Sequence, residues 1–236
     1  MNNNSTIAIL GAMDCEVSEL KSKLQSVEEK VFGNFVVTVG SFCNHNIILA
    51  KTGVGKVNAA VYTQFIIDKF SPEAIINTGL AGGIAPNLKI GDVVIGEKLV
   101  QYDFDVSALG YPKGYMCTGI DKDKPTVFYS DKNLISKFMD IINQESSAHK
   151  GIIASGDTFV SCDNHKKEIR ELFNATAVEM EGCAIAQTAA LNNIPFLVIR
   201  TISDLADSNA SEKFVLNEIE IAERSCLTME RLLANV

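Results

Sequence analysis

Carboxylates recur in this chain just behind short apolar runs, beside glycines. Gly11-Ala-Met-Asp-Cys-Glu16 follows Ile7-Ala-Ile-Leu10, Glu179-Met-Glu181 follows Val178, and Arg200-Thr-Ile-Ser-Asp204 continues Phe196-Leu-Val-Ile199. Thr52-Gly-Val-Gly55, Asn77-Thr-Gly-Leu-Ala-Gly-Gly83 and Ser155-Gly-Asp-Thr-Phe-Val160 follow further apolar runs in the same way. Carboxylates so placed can exchange protons with a bound molecule. The glycine turns let that molecule approach the backbone. Each residue alone has a plainer use. Asp14 can cap a helix, Glu16 can serve a helix dipole, Asp204 can sit in a turn, and Arg200 can be a structural ion-pair partner. Gathered at strand ends, the set points to a site. The glycines form neither a dinucleotide motif nor a phosphate loop. Gly53-Val-Gly55-Lys56 lacks the glycine four residues further back and the Ser or Thr after the lysine.

The elements that must position these residues alternate along the chain. Ile7–Leu10, Ile47–Ala50, Ile75-Ile76, Val93–Ile95, Ile152–Ala154 and Phe196–Ile199 predict buried strands, because consecutive apolar residues suit a sheet covered on both faces. Helices are expected over 14–25, 56–70, 131–145, 163–173, 181–192 and 212–234, with Asp131 and Asp163 as N-caps and Pro72 and Pro195 after helix ends. Two β-rich runs between Phe32 and Ala50 predict a hairpin, which makes the sheet mixed. Tyr102 to Thr126, rich in Gly, Pro and Tyr, predicts a long loop of the functional or interfacial kind. The fold class is therefore α/β: a three-layer sandwich whose central sheet is mixed but mostly parallel and flanked by helices. Without linker, repeat or low-complexity tract, residues 1–236 are expected to form one domain. In open sheets of this kind ligands bind beyond the carboxyl ends of the strands, which would put the carboxylates on one rim.

Composition narrows the function. The 236 residues are 47% hydrophobic and carry a net charge of −8. No run of Lys and Arg is available to neutralise phosphates, so nucleic acid is not an expected partner. Cysteines 15, 43, 117, 162, 183 and 226 include no Cys-x-x-Cys pair and suit reduced cytosolic thiols. His45, His149 and His165 have no ligand-like spacing, so neither a metal nor another cofactor is expected. Met1 to Ser5 is polar rather than basic, and the apolar run behind it is short. A signal peptide, a membrane partner and a spanning segment are not expected, and the cytoplasm is the expected location.

The motifs resemble those of the 5′-methylthioadenosine/S-adenosylhomocysteine nucleosidases, within the purine nucleoside phosphorylase superfamily. The matching stretches are Gly11–Glu16, Thr52–Lys56, Ile75–Gly79, Ala81–Gly83, Ser155–Asp157, Ala177–Glu181 and Arg200–Asp204, in the family's order and spacing. The resemblance implies hydrolysis of the N-glycosidic bond of 5′-methylthioadenosine and S-adenosylhomocysteine, giving adenine and a thio-ribose product. It makes Asp204 the general acid that protonates N7 of adenine, and Glu16 the base that takes a proton from the attacking water. Glu181 would grip the ribose hydroxyls, with Arg200 orienting the carboxylates and the water, and Ser203 beside Asp204 is a further substrate-binding candidate. Phe159 would stack on adenine, the Val160 backbone would read its edge, and Met180 would lie against the ribose. Met13, Val54 and Phe214 would form an apolar slot for the 5′-thio substituent, joined by Leu109 from a partner subunit. Two positions depart from the pattern: Leu80 stands where a serine is frequent, and Leu109 where a phenylalanine is common.

Two rivals are a purine nucleoside phosphorylase and a non-catalytic nucleoside-binding module. A phosphorylase needs cationic clamps, yet Arg170, Arg200, Arg224 and Arg231 all lie in the last third of the chain, and Asp14 and Glu16 would repel phosphate. A binding module has no use for opposed carboxylates with distinct roles. The expected partners are an adenine nucleoside and a second copy of the chain. The homodimer is suggested by Leu109, Tyr111, Pro112, Tyr115 and Met116, an apolar load in one loop.

Overall fold

The computed structural model describes residues 5–142 and 148–235. In chain order, β1 (Thr6–Gly11) leads into α1 (Asp14–Lys23), then β2 (Gln25–Phe32), β3 (Phe35–Phe42) and β4 (His45–Lys51). Next come α2 (Lys56–Phe70), β5 (Ala74–Asn77), β6 (Leu80–Gly83) and β7 (Val93–Gln101). Beyond the long connection are β8 (Phe128–Tyr129), α3 (Lys132–Ile142), β9 (Ala148–Ser155) and α4 (Asp163–Phe173). β10 (Ala177–Glu179), α5 (Gly182–Leu191), β11 (Phe196–Asp204) and α6 (Ala210–Asn235) complete the described chain.

Side chains alternate across a strand, so a continuous apolar run feeds two cores at once. Ala8 and Leu10 of β1, Ile75 of β5 and Val198 of β11 face one side and pack with Ala59 and Ile66 of α2 and Cys183 and Ile185 of α5. Ile7, Ile9, Ile76, Leu197 and Ile199 face the other, against Val17 and Leu20 of α1, Phe138 of α3 and Leu232 of α6. Three layers result. The expected α/β architecture is therefore the observed one, with a central mixed sheet flanked by helices.

The sheet has one property that apolar runs do not announce. Its strands follow the order β2-β3-β4-β1-β5-β11-β6-β10-β9-β7-β8, and β11 also pairs with β7. β11 is parallel to β5 over Phe196–Val198 and to β6 over Thr201–Asp204, while its other edge is antiparallel to β7 over Val198–Thr201. The strands β11, β6, β10, β9 and β7 thus close into a ring. β10 runs antiparallel to β6, with Val178 opposite Gly82. The carboxylates therefore do not share the rim of one open parallel sheet: the ends of β9 and β10 reach the site from the opposing direction.

Several local expectations need correction. β2, a strand beside the predicted hairpin, is exposed along nearly its whole length because it is the sheet edge, and its charged residues hide it from a search for apolar runs. β6 lies in what the glycines made look like a loop. Asp163 is the first helical residue of α4 and Cys162 the N-cap. Asp131 does cap α3, its Oδ1 accepting from Asn133 N and Leu134 N at 2.9 Å each. That helix is described to Ile142, and the expected extension to 145 lies outside the described residues. In the 102–126 connection, Tyr115 is 2% exposed and Tyr111 and Met116 are half-buried, whereas Leu109, on a 3-10 turn over Ser107–Leu109, is 72% exposed. Most of the loop's expected apolar load is packed on its own chain. Among the described residues no helix is long and apolar enough to cross a membrane.

Candidate active site

Glu16 stands in the first turn of α1, where its carboxylate turns back over the helix start. Oε2 accepts from Ala12 N at 2.6 Å and Met13 N at 3.0 Å, and Oε1 from Leu80 N at 2.9 Å. This approach depends on glycine: a Cβ on Gly79 would lie 2.5 Å from Glu16 Oε1. Burial lifts the Glu16 pKa above the usual carboxylate range, against the charge of Arg200 and the three N–H donors. Burial penalises the charged form, and donors to the carboxylate favour it.

Asp204 ends β11. Its Oδ1 accepts from Ala206 N at 2.8 Å and its Oδ2 lies 2.9 Å from Ser203 Oγ. Its pKa is also raised, by burial first, against these two hydrogen bonds. Glu181 follows β10 and accepts from Gly55 N at 2.8 Å through Oε1. Gly55 has φ of 97°, a conformation that suits glycine, and so presents its N–H toward Glu181 ahead of α2. Burial and then the charge of Glu179 push the Glu181 pKa up to about 8.

These three carboxyl groups, together with Glu179, line one cavity of about 230 Å³. Met13 and Val54 border it from the loops after β1 and β4, and Thr158, Phe159 and Val160 from the loop after β9. Met180, Ser203 and Phe214 are also in the wall, with Leu80 and Gly82 of β6. Phe159 and Phe214 meet edge to face, centroids 5.6 Å apart. Apart from the carboxyls the lining is largely apolar, and no lysine, arginine or histidine is among the described lining residues. Carboxyl groups whose pKa values are raised, facing one small apolar cavity, can act on a ligand as acid and base.

Two expected site residues lie elsewhere. Arg200 is 1% exposed and set back from the cavity. Its Nη2 donates to Asn77 Oδ1 at 2.6 Å and to Glu179 Oε2, so from outside the lining it orients Glu179, which itself borders the cavity. Leu109 does not touch the cavity of its own chain. Asp14 and Asp157 are also outside it. Asp14 pairs with Lys51 at 2.8 Å, and Asp157 accepts from Lys56 N at 2.8 Å.

Glu179 stands among the strand-end carboxylates of the sequence, in the same Val-Glu-Met-Glu motif as Glu181, but the sequence reading gives it no role of its own. The signal for it is Arg200. An arginine in the otherwise apolar run Phe196–Ile202 must be buried, and a buried charge requires a partner.

The sequence model of the Phosphorylase superfamily matches residues 6–234. The 5′-methylthioadenosine/S-adenosylhomocysteine nucleosidase of Staphylococcus aureus (strain JH9) is 38% identical over 232 residues, covering 98% of this chain and 100% of that protein. The solved S-adenosylhomocysteine nucleosidase of Streptococcus pyogenes, in complex with 5-methylthiotubericidin, superposes with a TM-score of 0.93 at 35% identity, covering 100% of this chain and 98% of that one. The 5′-methylthioadenosine/S-adenosylhomocysteine nucleosidase of Neisseria meningitidis, in complex with methylthio-immucillin-A, gives a TM-score of 0.93 at 37% identity over 98% of this chain and 100% of that one.

Proposed function

We infer that this chain, which belongs to the phosphorylase superfamily and within it to the 5′-methylthioadenosine/S-adenosylhomocysteine nucleosidases, hydrolyses the N-glycosidic bond of those two nucleosides. The observation that carries the site assignment is that Glu16 and Asp204, both buried and both with raised pKa values, border one apolar cavity.

Adenine is a poor leaving group as an anion, so its N7 must gain a proton as the C1′–N9 bond breaks. Asp204 supplies it: burial keeps the carboxyl protonated at a pH where an exposed aspartate has lost its proton. The electrons of the broken bond leave with neutral adenine, and the sugar passes through an oxocarbenium-like state. Glu16 takes a proton from the water that adds to C1′, and its negative charge faces the developing cation. The three backbone N–H groups on Glu16 keep it in one orientation for that step. Glu181 binds the ribose hydroxyls and Met180 lies against the ring. Phe159 stacks on adenine while the Val160 backbone reads its edge. Met13, Val54 and Phe214 form the slot for the 5′-thio group. Arg200 acts from behind the wall through Glu179.

Water rather than phosphate is the nucleophile. The described cavity lining offers phosphate no cation, and the Glu16 carboxylate would repel a dianion in a partly desolvated space. The test follows the sugar product with and without phosphate. Free methylthioribose in both cases is expected; a phosphate-dependent sugar 1-phosphate would assign the protein to the phosphorylases.

The enzyme acts in the cytoplasm as a homodimer of single-domain subunits spanning 1–236, with Leu109 reaching the partner's 5′ slot. Val57 and Val61, one turn apart on α2, are exposed like Leu109, and exposed apolar side chains on one face support an interface.

A further inference from the structure

Glu179 is a buried carboxylate that borders the cavity, yet the reaction above gives it no contact with substrate. It is 7% exposed, at the end of β10. Its Oε1 accepts from Ser155 Oγ at the end of β9. Its Oε2 accepts from Arg200 Nη2, from Glu181 N at 3.1 Å and from Gly182 N at 2.7 Å. Ser155 Oγ in turn accepts from Cys183 N at 2.7 Å. Beyond Arg200, Asn77 continues the chain of contacts, its Nδ2 donating to Leu10 O of β1 at 2.8 Å. One carboxylate thus ties β9, β10 and β11 together, and through Asn77 also β5 and β1.

An ion pair alone would need only Arg200. Two of the four donors to Glu179 are backbone N–H groups of the turn that carries Met180 and Glu181 into the cavity. The turn has little room to shift, since a Cβ on Gly182 would fall 3.1 Å from Glu179 Oε2. We propose that Glu179 is a positioning residue for substrate binding: by gripping the Glu181–Gly182 backbone against Arg200 and Ser155, it fixes the direction in which Glu181 meets the sugar. The proposal rests on the nucleosidase reading, because Glu181 is the sugar-binding group in that reading.

The grip is also electrostatic. The charged groups facing Glu181 are Glu179 from β10, Arg200 from β11 and Glu16 from α1, with the Gly55 N–H as a further donor. After burial, the Glu179 charge does most to raise the Glu181 pKa, while Arg200 lowers it. Neutralising Glu179 would leave Arg200 unopposed and move the Glu181 titration to lower pH.

The experiment compares wild type with Glu179→Gln, measuring kcat and KM for 5′-methylthioadenosine across pH beside thermal unfolding. Expected for the folded variant is a KM raised by about tenfold or more, a smaller change in kcat, and an acidic limb of the 1/KM profile, where Glu181 gains its proton and stops accepting from the ribose hydroxyls, displaced to lower pH. A purely structural role would reduce the folded fraction without moving that limb. Unchanged KM and an unmoved limb in folded Glu179→Gln would overturn the proposal. If that variant does not fold, Glu179→Gln combined with Arg200→Gln removes both buried charges and is judged by the same two readouts. Adenine release by wild type tests the nucleosidase reading separately. If none occurs, the Kd for 5′-methylthioadenosine replaces KM and decides the role of Glu179.

Discussion

At the scale of single residues, the proposed mechanism divides the proton traffic between Asp204 and Glu16, at the two ends of the reaction. Asp204→Asn has no proton to give N7, and Glu16→Gln cannot take one from water. Each should lower the rate of adenine release by about 10² to 10⁴. Adenine quantified under saturating substrate, with circular dichroism to show the fold, checks this; near-normal turnover in either folded variant would reassign the roles. Glu181 makes a separate prediction about stability. Its pKa is raised to about 8 in the folded protein from an ordinary 4.5. The folded state therefore holds its proton more tightly, and that contribution is present below about 4.5 and lost as pH rises through about 8. Glu181→Gln removes the titrating group, so its melting temperature should fall less between pH 6 and pH 9 than that of wild type. Scanning calorimetry of the ligand-free protein at both pH values measures the difference, and parallel declines would contradict the assignment. That Glu16, Glu181 and Asp204 belong to one site was legible from their motifs at strand ends, and they do border one cavity. The setback of Arg200 was not, because four residues' separation from Asp204 says nothing about which way a strand faces at each position.

At the scale of elements, the site is made by chain segments that approach closely only where glycine permits. The turn between β5 and β6 is one such case, with no space for a Cβ between Gly79 and the Glu16 carboxylate. Gly79→Ala should force Glu16 or the turn aside, costing about 1 to 3 kcal/mol of stability and lowering kcat more than KM. Denaturant unfolding and steady-state kinetics together test this; a variant with normal kcat would show that the carboxylate can shift without loss. The predicted strand runs all lie in the sheet, and the helices expected over 56–70 and 163–173 occur with those limits. What was missed has a common cause. β2 is a charged edge strand and β6 a glycine-rich one, so neither carries the apolar run that marks a doubly covered strand.

For the whole molecule, the question is whether one chain completes the site. Leu109 lies outside its own chain's cavity and is exposed, in keeping with the proposal that it serves a partner. Specific activity should then fall on dilution in step with the dimer fraction. Leu109→Asp should weaken assembly and raise KM while leaving each subunit folded. Analytical ultracentrifugation beside activity over the same concentrations checks both, and a fully active monomer would remove the partner from the site. Tyr115, expected to help drive that assembly, is buried in its own chain, so fewer side chains of the 102–126 connection are free for the interface than its composition suggested.

Taken by itself, the sequence determined the alternation of strands and helices, the three layers and the identity of the acidic residues at strand ends. Those are local properties: apolar runs, capping residues and motifs each act within a few residues, and a linear chain displays them directly. Only the tertiary structure decided that the β11–β6–β10–β9–β7 ring closes, that Glu179 rather than the cavity receives Arg200, and that Glu16 is held from behind by Leu80 N. Each of these joins residues far apart in the chain. Strand direction and pairing are settled by which edges can bury their backbone groups together, and a buried charge takes whichever partner the closed sheet brings to it.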